Sequence, residues 1–149
     1  MIVVPFLLAN VLVPRPVSSL PSQVKPLVEV LQNKGFTVKV ALPPIQGVYG
    51  LYRPETKTLW ISPVTIPLGI ARQTLLHEAV HAVQSCPSGM LTPIGWDVKV
   101  SPVVEREISA ILLRSYGHAN RVLEKEAFFM QGHVHAESRL MAELNKRCL

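Results

Sequence analysis

The sequence is short of charged and aromatic residues. Charged side chains make up 17% of its 149 residues and aromatic ones 6%, whereas 48% of the residues are hydrophobic. A disordered chain or a long coiled coil carries more charge, so both classes are excluded. The length predicts one domain over residues 1–149 with a single core. No Gly-rich phosphate loop, Ser–His–Asp set, thiol nucleophile or internal repeat stands out.

The sequence also lacks a concentrated run of basic residues. Its formal net charge is +5 and its pI is about 9.5, a balance that suits an anionic partner. The Lys and Arg residues are scattered, however, and no aromatic residues are interleaved with them. Nucleic-acid binding is therefore not expected.

No hydrophobic run is long enough to cross a bilayer as a helix. The most apolar stretch covers residues 1–13, and the prolines at positions 14, 16 and 21 end it. It resembles the apolar part of a signal peptide, but no positive residue precedes it and no clear small-residue cleavage site follows. Residues 1–16 are interpreted as a leader or a buried strand, and both interpretations stay open.

The chain contains two cysteines, Cys86 and Cys148. If they pair, the bridge ties the C-terminal helix to the helix that ends near Cys86, and it indicates an oxidising compartment. Two free thiols would instead fit a reducing cytosol. Both residues lie at predicted helix ends, which slightly favours the bridge and an exported or periplasmic location over a cytoplasmic one.

Hydrophobic periodicity predicts several helices and a few short strands. Thr65 and Ser101 are the predicted N-caps of two helices. These elements predict an α+β fold in which a small, mostly antiparallel sheet packs against helices. In chain order the predicted elements are helix 22–34, strand 36–41, a hairpin with strands 48–52 and 58–61, helix 65–85, helix 101–117, and a helical region over 119–147 that breaks near Gly132.

The segment 74–83 carries the chemistry. His77 and His81 are four residues apart, so a helix places both imidazoles on one face, about one turn apart, where they can bind one metal ion. Glu78 lies beside them, where its carboxylate can take a proton from a water on that metal. An apolar stripe buries the helix in the core: Leu76, Ala79, Val80 and Val83.

The residues from His77 to His81 read His-Glu-Ala-Val-His and resemble the H-E-x-x-H helix of zincin metallopeptidases, including its uncharged neighbours. The resemblance covers about residues 47–148. It implies a zincin-like fold, a Zn²⁺ cofactor, and hydrolysis of peptide bonds with Glu78 as the general base. It also implies that the hairpin before the helix provides an edge strand for an extended peptide substrate. A plain structural hairpin explains the same local pattern.

A catalytic zinc ion commonly has a third protein ligand. The His-x-x-Gly-x-x-His extension of metzincins is absent after His81, so the ligand must come from later in the chain, as in gluzincins. Glu107 and Glu126 both have apolar neighbours at helical spacing, and buried carboxylates are rare unless paired or bound to a metal. Glu105 and Glu124 fall on more polar faces.

Local pattern leaves Glu107 and Glu126 equally good. The resemblance favours Glu126, because small zincin-like proteins often carry a Glu-x-Glu-Ala-aromatic run followed by a closing cysteine, and Glu107 stays as the alternative. The glutamate that does not bind the metal is expected to hold a histidine ring by its distal N–H. Tyr116 and His118 are candidates for stabilising the oxyanion.

The leading hypothesis is a zinc metallopeptidase that acts on a peptide or protein substrate. The alternative is a non-catalytic zinc-binding interaction domain of the same fold, and a third hypothesis is a basic adaptor without metal. The sequence predicts neither the cleavage specificity nor the oligomeric state.

Overall fold

The computed structural model describes residues 11–114 and 120–149. The α+β class predicted from the sequence is confirmed. Five α-helices lie wholly within these residues: α1 (Lys25–Asn33), α2 (Ala71–Gln84), α3 (Pro102–Arg114), α4 (Arg121–Gln131) and α5 (Ala136–Arg147). The same residues form three strands: β1 (Thr37–Val40), β2 (Gly50–Arg53) and β3 (Thr58–Ile61).

The three strands form one mixed sheet in the order β1–β3–β2. β3 pairs antiparallel with β2, where Gly50 lies opposite Ile61, and parallel with β1, where Thr37 lies opposite Thr58. The prediction of a mostly antiparallel sheet is therefore wrong. β2 runs against β1 and the hairpin reverses the chain again, so β3 runs parallel to β1 and lies between the two. Local periodicity predicts strands but does not report their order.

Helix α2 lies in the middle of the fold and packs against β2, β3, α4 and α5. The predicted apolar stripe is fully buried, and so are Leu75 and Ala82 on other sides of the helix, each 0% exposed. Beyond the first turn, His77 is the one residue of α2 that is not buried. The polar side chains of this helix must therefore find their partners inside the protein.

Helix α2 begins at Ala71 rather than at the predicted N-cap, Thr65. Thr65 instead ends a short 3-10 helix, Pro63–Thr65, and its hydroxyl donates to the carbonyl of Ser62 at 2.7 Å. Gly69 then adopts a left-handed φ of +72°, which separates the two helices. The prediction was wrong because the Thr65 hydroxyl closes a local turn rather than capping the helix.

The later helices begin within two residues of the predicted positions, whereas the predicted end of the helix 101–117 lies outside the described residues. The Ser101 hydroxyl accepts the backbone N–H of Val104 at 3.3 Å at the start of α3. The final helical region divides into α4 and α5 around Gly132. Asn120 caps α4, because its side-chain oxygen accepts the backbone N–H of Leu123 at 3.0 Å.

Helix α5 holds α2 at both ends. At the C-terminal end of α2, Cys86 and Cys148 form a disulfide, and the Arg147 guanidinium donates to the carbonyl of Cys86 at 2.9 Å. At the N-terminal end, Arg72 donates to both carboxylate oxygens of Glu137, at 2.6 and 2.9 Å. The orientation of α2 is thus fixed by covalent and ionic contacts as well as by packing.

The chain just after the most apolar stretch lies against the sheet. The backbone N–H of Arg15 donates to the carbonyl of Val40 at the end of β1, at 2.9 Å. Residues 1–10, on which the leader and strand interpretations mainly depend, lie outside the described residues. In the part of the chain that the structure describes, no helix has both the length and the apolar content that a membrane crossing requires.

Candidate metal centre

Helix α2 brings the two predicted metal-binding histidines together. The ring centroids of His77 and His81 lie 5.0 Å apart and their planes make an angle of 76°. Their side chains are 14% and 10% exposed, so both imidazoles lie at the inner wall of a cleft. This is the arrangement that one helical turn between the two residues predicts.

The acid side chain beside the two histidines is that of Glu124, on the first turn of α4. Glu124 Oε2 lies 3.2 Å from His77 Nε2, and Glu124 Oε1 lies 3.1 Å from His81 Nε2. One nitrogen from each ring and a carboxylate oxygen lie within 4.8 Å of one another, so these three residues could hold a single metal ion. Among the described residues, neither Glu126, which was the predicted third ligand, nor its alternative Glu107 belongs to this cluster.

Glu126 is buried, as predicted, but its carboxylate points to a different part of the protein. Its two oxygens accept the backbone N–H groups of Ile94, Gly95 and Trp96 at 2.8–3.1 Å, and the side-chain amide of Gln84 at 2.9 Å. These four donors satisfy a buried carboxylate without a cation. The apolar neighbours of Glu126 thus correctly predict that it is buried, but they do not predict which groups its carboxylate contacts.

Glu107 is exposed on α3 and does not belong to the cluster. The buried residue at this point of α3 is its neighbour Ile108, which is 0% exposed. Helix α3 packs mainly against α4, so only a narrow face of it is covered. None of the apolar neighbours of Glu107 is buried: Val103 and Ala110 are exposed and Val104 and Ile111 are only partly buried, which is why they gave a misleading signal.

Each histidine donates its distal N–H to a glutamine. Gln131 Oε1 lies 2.7 Å from His77 Nδ1, and Gln84 Oε1 lies 2.7 Å from His81 Nδ1. An amide oxygen only accepts, so Nδ1 carries the proton in both rings. When neutral, each ring therefore presents its Nε2 lone pair towards Glu124, which is the tautomer that binds a metal through Nε2.

The donor atoms of this cluster fit a cation. Two Nε2 lone pairs and a carboxylate converge, and Glu124 Oε2 is buried with no hydrogen-bond partner among the described residues. If the His77 ring is neutral, its Nε2 and that oxygen are two acceptors 3.2 Å apart, which is unfavourable unless a positive charge, either a proton or a metal cation, lies between them. A divalent metal ion with N and O ligands supplies that charge.

The electrostatics of the cluster also favour a positive charge between these three residues. Burial by itself lowers the pKa of His81, but the hydrogen bond to Glu124 and the charges of Glu124 and Glu78 outweigh it and raise that pKa to about 9. Burial likewise raises the pKa of Glu124, but the adjacent His77 and His81 rings outweigh this and hold its pKa well below the usual range. The cluster thus attracts positive charge, a proton when no metal is bound.

Glu78 lies between the cluster and strand β2. It is 8% exposed, and burial raises the pKa of its carboxyl, an effect that the two histidines oppose. The backbone of Tyr52 donates a hydrogen bond to it. Gly50 leaves room for it, because a Cβ there would lie 3.1 Å from Glu78 Oε1 and 2.7 Å from the Thr74 methyl group. Strand and helix are therefore packed as closely as a glycine allows.

The cluster opens into a cleft of about 1100 Å³. One wall is the loop and edge strand from residue 45 to residue 55, and the opposite wall is the face of α4 that carries Glu124, Phe128 and Gln131. Phe128 also contacts the His77 ring edge-on, at a centroid distance of 4.9 Å. The volume of this cleft is much larger than a single metal ion requires.

No known family model, curated protein or solved structure matches this chain significantly. The interpretation of the site therefore depends on its geometry.

The sequence reasoning missed three residues at this site: Glu124, Gln84 and Gln131. Helical spacing could have found them. Glu124 and Gln131 lie seven residues apart on α4, and Gln84 follows His77 by seven residues on α2. Each pair therefore shares one face of its helix. The oxyanion candidates Tyr116 and His118 lie outside the described residues.

Proposed function

We propose that this protein is a zinc-dependent metallopeptidase with a zincin-like fold. The observation that carries the proposal is the convergence of His77, His81 and Glu124 at the wall of a cleft, with the buried Glu78 on the same helix. Two imidazoles, one carboxylate and an open side towards the cleft make up the ligand set of a catalytic zinc site, whereas structural zinc sites use four protein ligands. The proposed cofactor is Zn²⁺.

Glu78 is the proposed general base. When bound, zinc polarises a carbonyl and lowers the pKa of a water towards about 7. The Glu78 carboxylate takes a proton from the attacking water and delivers it to the leaving amine.

Strand β2 is the proposed substrate-binding edge. One side of β2 pairs with β3, and its other side lines the cleft beside the histidines. In the part of the chain that the structure describes, no further strand pairs with that side. An extended peptide can add there as one more strand, with its backbone held by hydrogen bonds and its side chains pointing alternately into and out of the cleft.

The experiment is metal analysis together with hydrolysis of a peptide library, on the wild type and on Glu78→Gln. We expect zinc in both proteins and a hydrolysis rate at least about 100-fold lower in the variant, because the amide cannot accept the proton. The matched control is Glu107→Gln, which changes an exposed glutamate and should behave as wild type. A zinc-bound wild type that cuts no peptide would instead favour a non-catalytic zinc-binding domain.

A further inference from the structure

Glu126 is a buried anion whose hydrogen bonds reach the metal cluster through one intermediate residue. It is 1% exposed, and its oxygens accept three backbone N–H groups of the loop 94–96 and one N–H of the Gln84 amide. Among the described residues, no basic side chain forms an ion pair with it. Three of its four hydrogen-bond donors are thus backbone N–H groups, and the fourth is the side-chain amide of one glutamine.

The orientation of the Gln84 amide follows from this carboxylate. Gln84 is 0% exposed, and its Nε2 donates to Glu126 Oε1 at 2.9 Å and to the carbonyl of Leu123 at 3.0 Å. A flipped amide would place its oxygen against both of these acceptors, at the cost of two buried hydrogen bonds. The Gln84 oxygen must therefore point to His81, where it accepts the Nδ1 proton at 2.7 Å.

We propose that Glu126 is a positioning residue that holds His81 in its metal-binding tautomer and orientation through Gln84. The loop 94–96 fixes Glu126, Glu126 fixes the Gln84 amide, and Gln84 fixes the imidazole. The inference rests on the proposed metal site but not on peptide hydrolysis. Residues that orient a metal-binding histidine typically contribute about 10- to 100-fold to metal affinity.

The test is the zinc dissociation constant of folded, purified Glu126→Gln, measured by competition with a chromophoric chelator. In this variant one carboxylate oxygen becomes an NH₂ group that faces N–H donors. The charged acceptor for the Gln84 amide is lost, and only the Leu123 carbonyl still favours the observed orientation of that amide. We expect zinc affinity to fall about 10- to 100-fold. We also expect the visible spectrum of the Co²⁺ form to change, because that spectrum reports ligand geometry and not folding.

The matched control is Glu137→Gln. Glu137 is also a largely buried carboxylate that accepts several N–H donors, but it pairs with Arg72 away from the cluster. It should lose stability and keep the zinc affinity and Co²⁺ spectrum of the wild type. If Glu126→Gln does not fold, Gln84→Met decides the question: it leaves the loop hydrogen bonds of Glu126 in place and removes the acceptor for His81, together with the amide N–H bonds to Glu126 and Leu123.

The outcomes separate this inference from the proposed function. If wild type binds zinc and both Glu126→Gln and Gln84→Met bind it with equal affinity and an unchanged Co²⁺ spectrum, the positioning role is overturned and the peptidase proposal stands. If wild type binds zinc but cuts no peptide, the peptidase proposal fails and the affinity comparison still decides this one. If wild type binds no metal, both are overturned.

Discussion

Glu124 Oε2 lies 3.2 Å from His77 Nε2, across the contact between α4 and α2. The two residues belong to helices that are separated in the sequence by the loop after α2 and by α3. The metal cluster is therefore assembled by tertiary packing, and a metal bound there would join the two helices directly. This relationship links metal binding to the stability of the folded chain.

Zinc should stabilise the folded protein. A ligand that binds only the folded state raises the free energy of unfolding by about 2.7 kcal/mol when its free concentration is 100 times the dissociation constant. Thermal unfolding with zinc and with excess chelator measures this difference. In His77→Ala the two curves should coincide. A wild type whose unfolding temperature is the same with zinc and with chelator would contradict a metal site between α2 and α4.

The third ligand can be identified by comparing two glutamates. Glu124→Ala removes the carboxylate that converges with the two histidines, and we expect zinc affinity to fall by more than about tenfold, since even residues behind the ligands contribute that much. Glu107→Ala changes an exposed side chain and should leave the affinity unchanged. Titration calorimetry of both variants is the measurement. A larger loss of zinc affinity in Glu107→Ala than in Glu124→Ala would contradict the assignment of Glu124 as the third ligand.

Gly50 should be intolerant of a side chain. Gly50→Ala places a methyl group 2.7 Å from the Thr74 methyl and 3.1 Å from Glu78 Oε1, so β2 or Glu78 must move. Because a shift of about 1 Å at a reacting group can cost about 100-fold in rate, we expect kcat/KM to fall by that order while zinc stays bound. Gly132→Ala, where a Cβ would meet nothing within 4 Å, is the control. Equal kinetics in the two variants would show that the close contact is not needed.

The ion pair between Arg72 and Glu137 should make stability depend on acid pH. Burial raises the pKa of Glu137, but the hydrogen bonds from Arg72 outweigh this and lower it below its usual value. The folded state therefore binds this proton less readily than the unfolded chain. The contribution to stability is present above the usual pKa of about 4.3 and is lost as the pH falls through the lowered value.

Glu137→Gln tests this dependence. At pH 7 the variant should be less stable by about 1.5–3 kcal/mol, the range for hydrogen bonds to charged groups. The difference from wild type should shrink as the pH drops below about 4.3. Urea unfolding at pH 7 and at acid pH measures it. A constant difference at all pH values would mean that the carboxylate charge contributes nothing.

The disulfide between Cys86 and Cys148 should contribute to stability without taking part in metal binding. The two cysteines are 62 residues apart in the sequence, and removing a native disulfide typically costs about 2–5 kcal/mol. The double variant Cys86→Ser with Cys148→Ser should therefore unfold at a lower temperature, as should reduced wild type. Both should still bind one zinc ion when folded. Loss of zinc from the folded variant would show that the bridge also shapes the site.

The sequence predicted helix α2 and the strands because these elements depend on local spacing. His77 and His81 lie on one face as their separation requires, and the hairpin strands fall within two residues of the predicted bounds. The sheet order could not be predicted in this way, because the position of β3 beside β1 depends on packing against α2. The start of α2 could not be predicted from local spacing either, because the Thr65 hydroxyl can cap a helix or close a local turn.

The choice between Glu124 and Glu126 is the clearest case in which local sequence pattern does not determine the contacts of a side chain. Glu124 and Glu126 are two residues apart on α4, and both are buried. One carboxylate faces two histidine lone pairs, and the other faces four N–H donors. A burial argument cannot separate them, because a cation and a set of N–H groups both satisfy a buried carboxylate. The choice depends on which side of α4 meets α2 and which meets the loop 94–96.

The central claim is that His77, His81 and Glu124 bind one metal ion, and anomalous diffraction from crystals grown with zinc tests it most directly. The account predicts a single anomalous peak about 2.0–2.2 Å from both Nε2 atoms and from a Glu124 oxygen, with the side facing the cleft left to solvent. A peak bound by Glu126 or Glu107, or zinc-soaked crystals with no peak beside the two imidazoles, would contradict it.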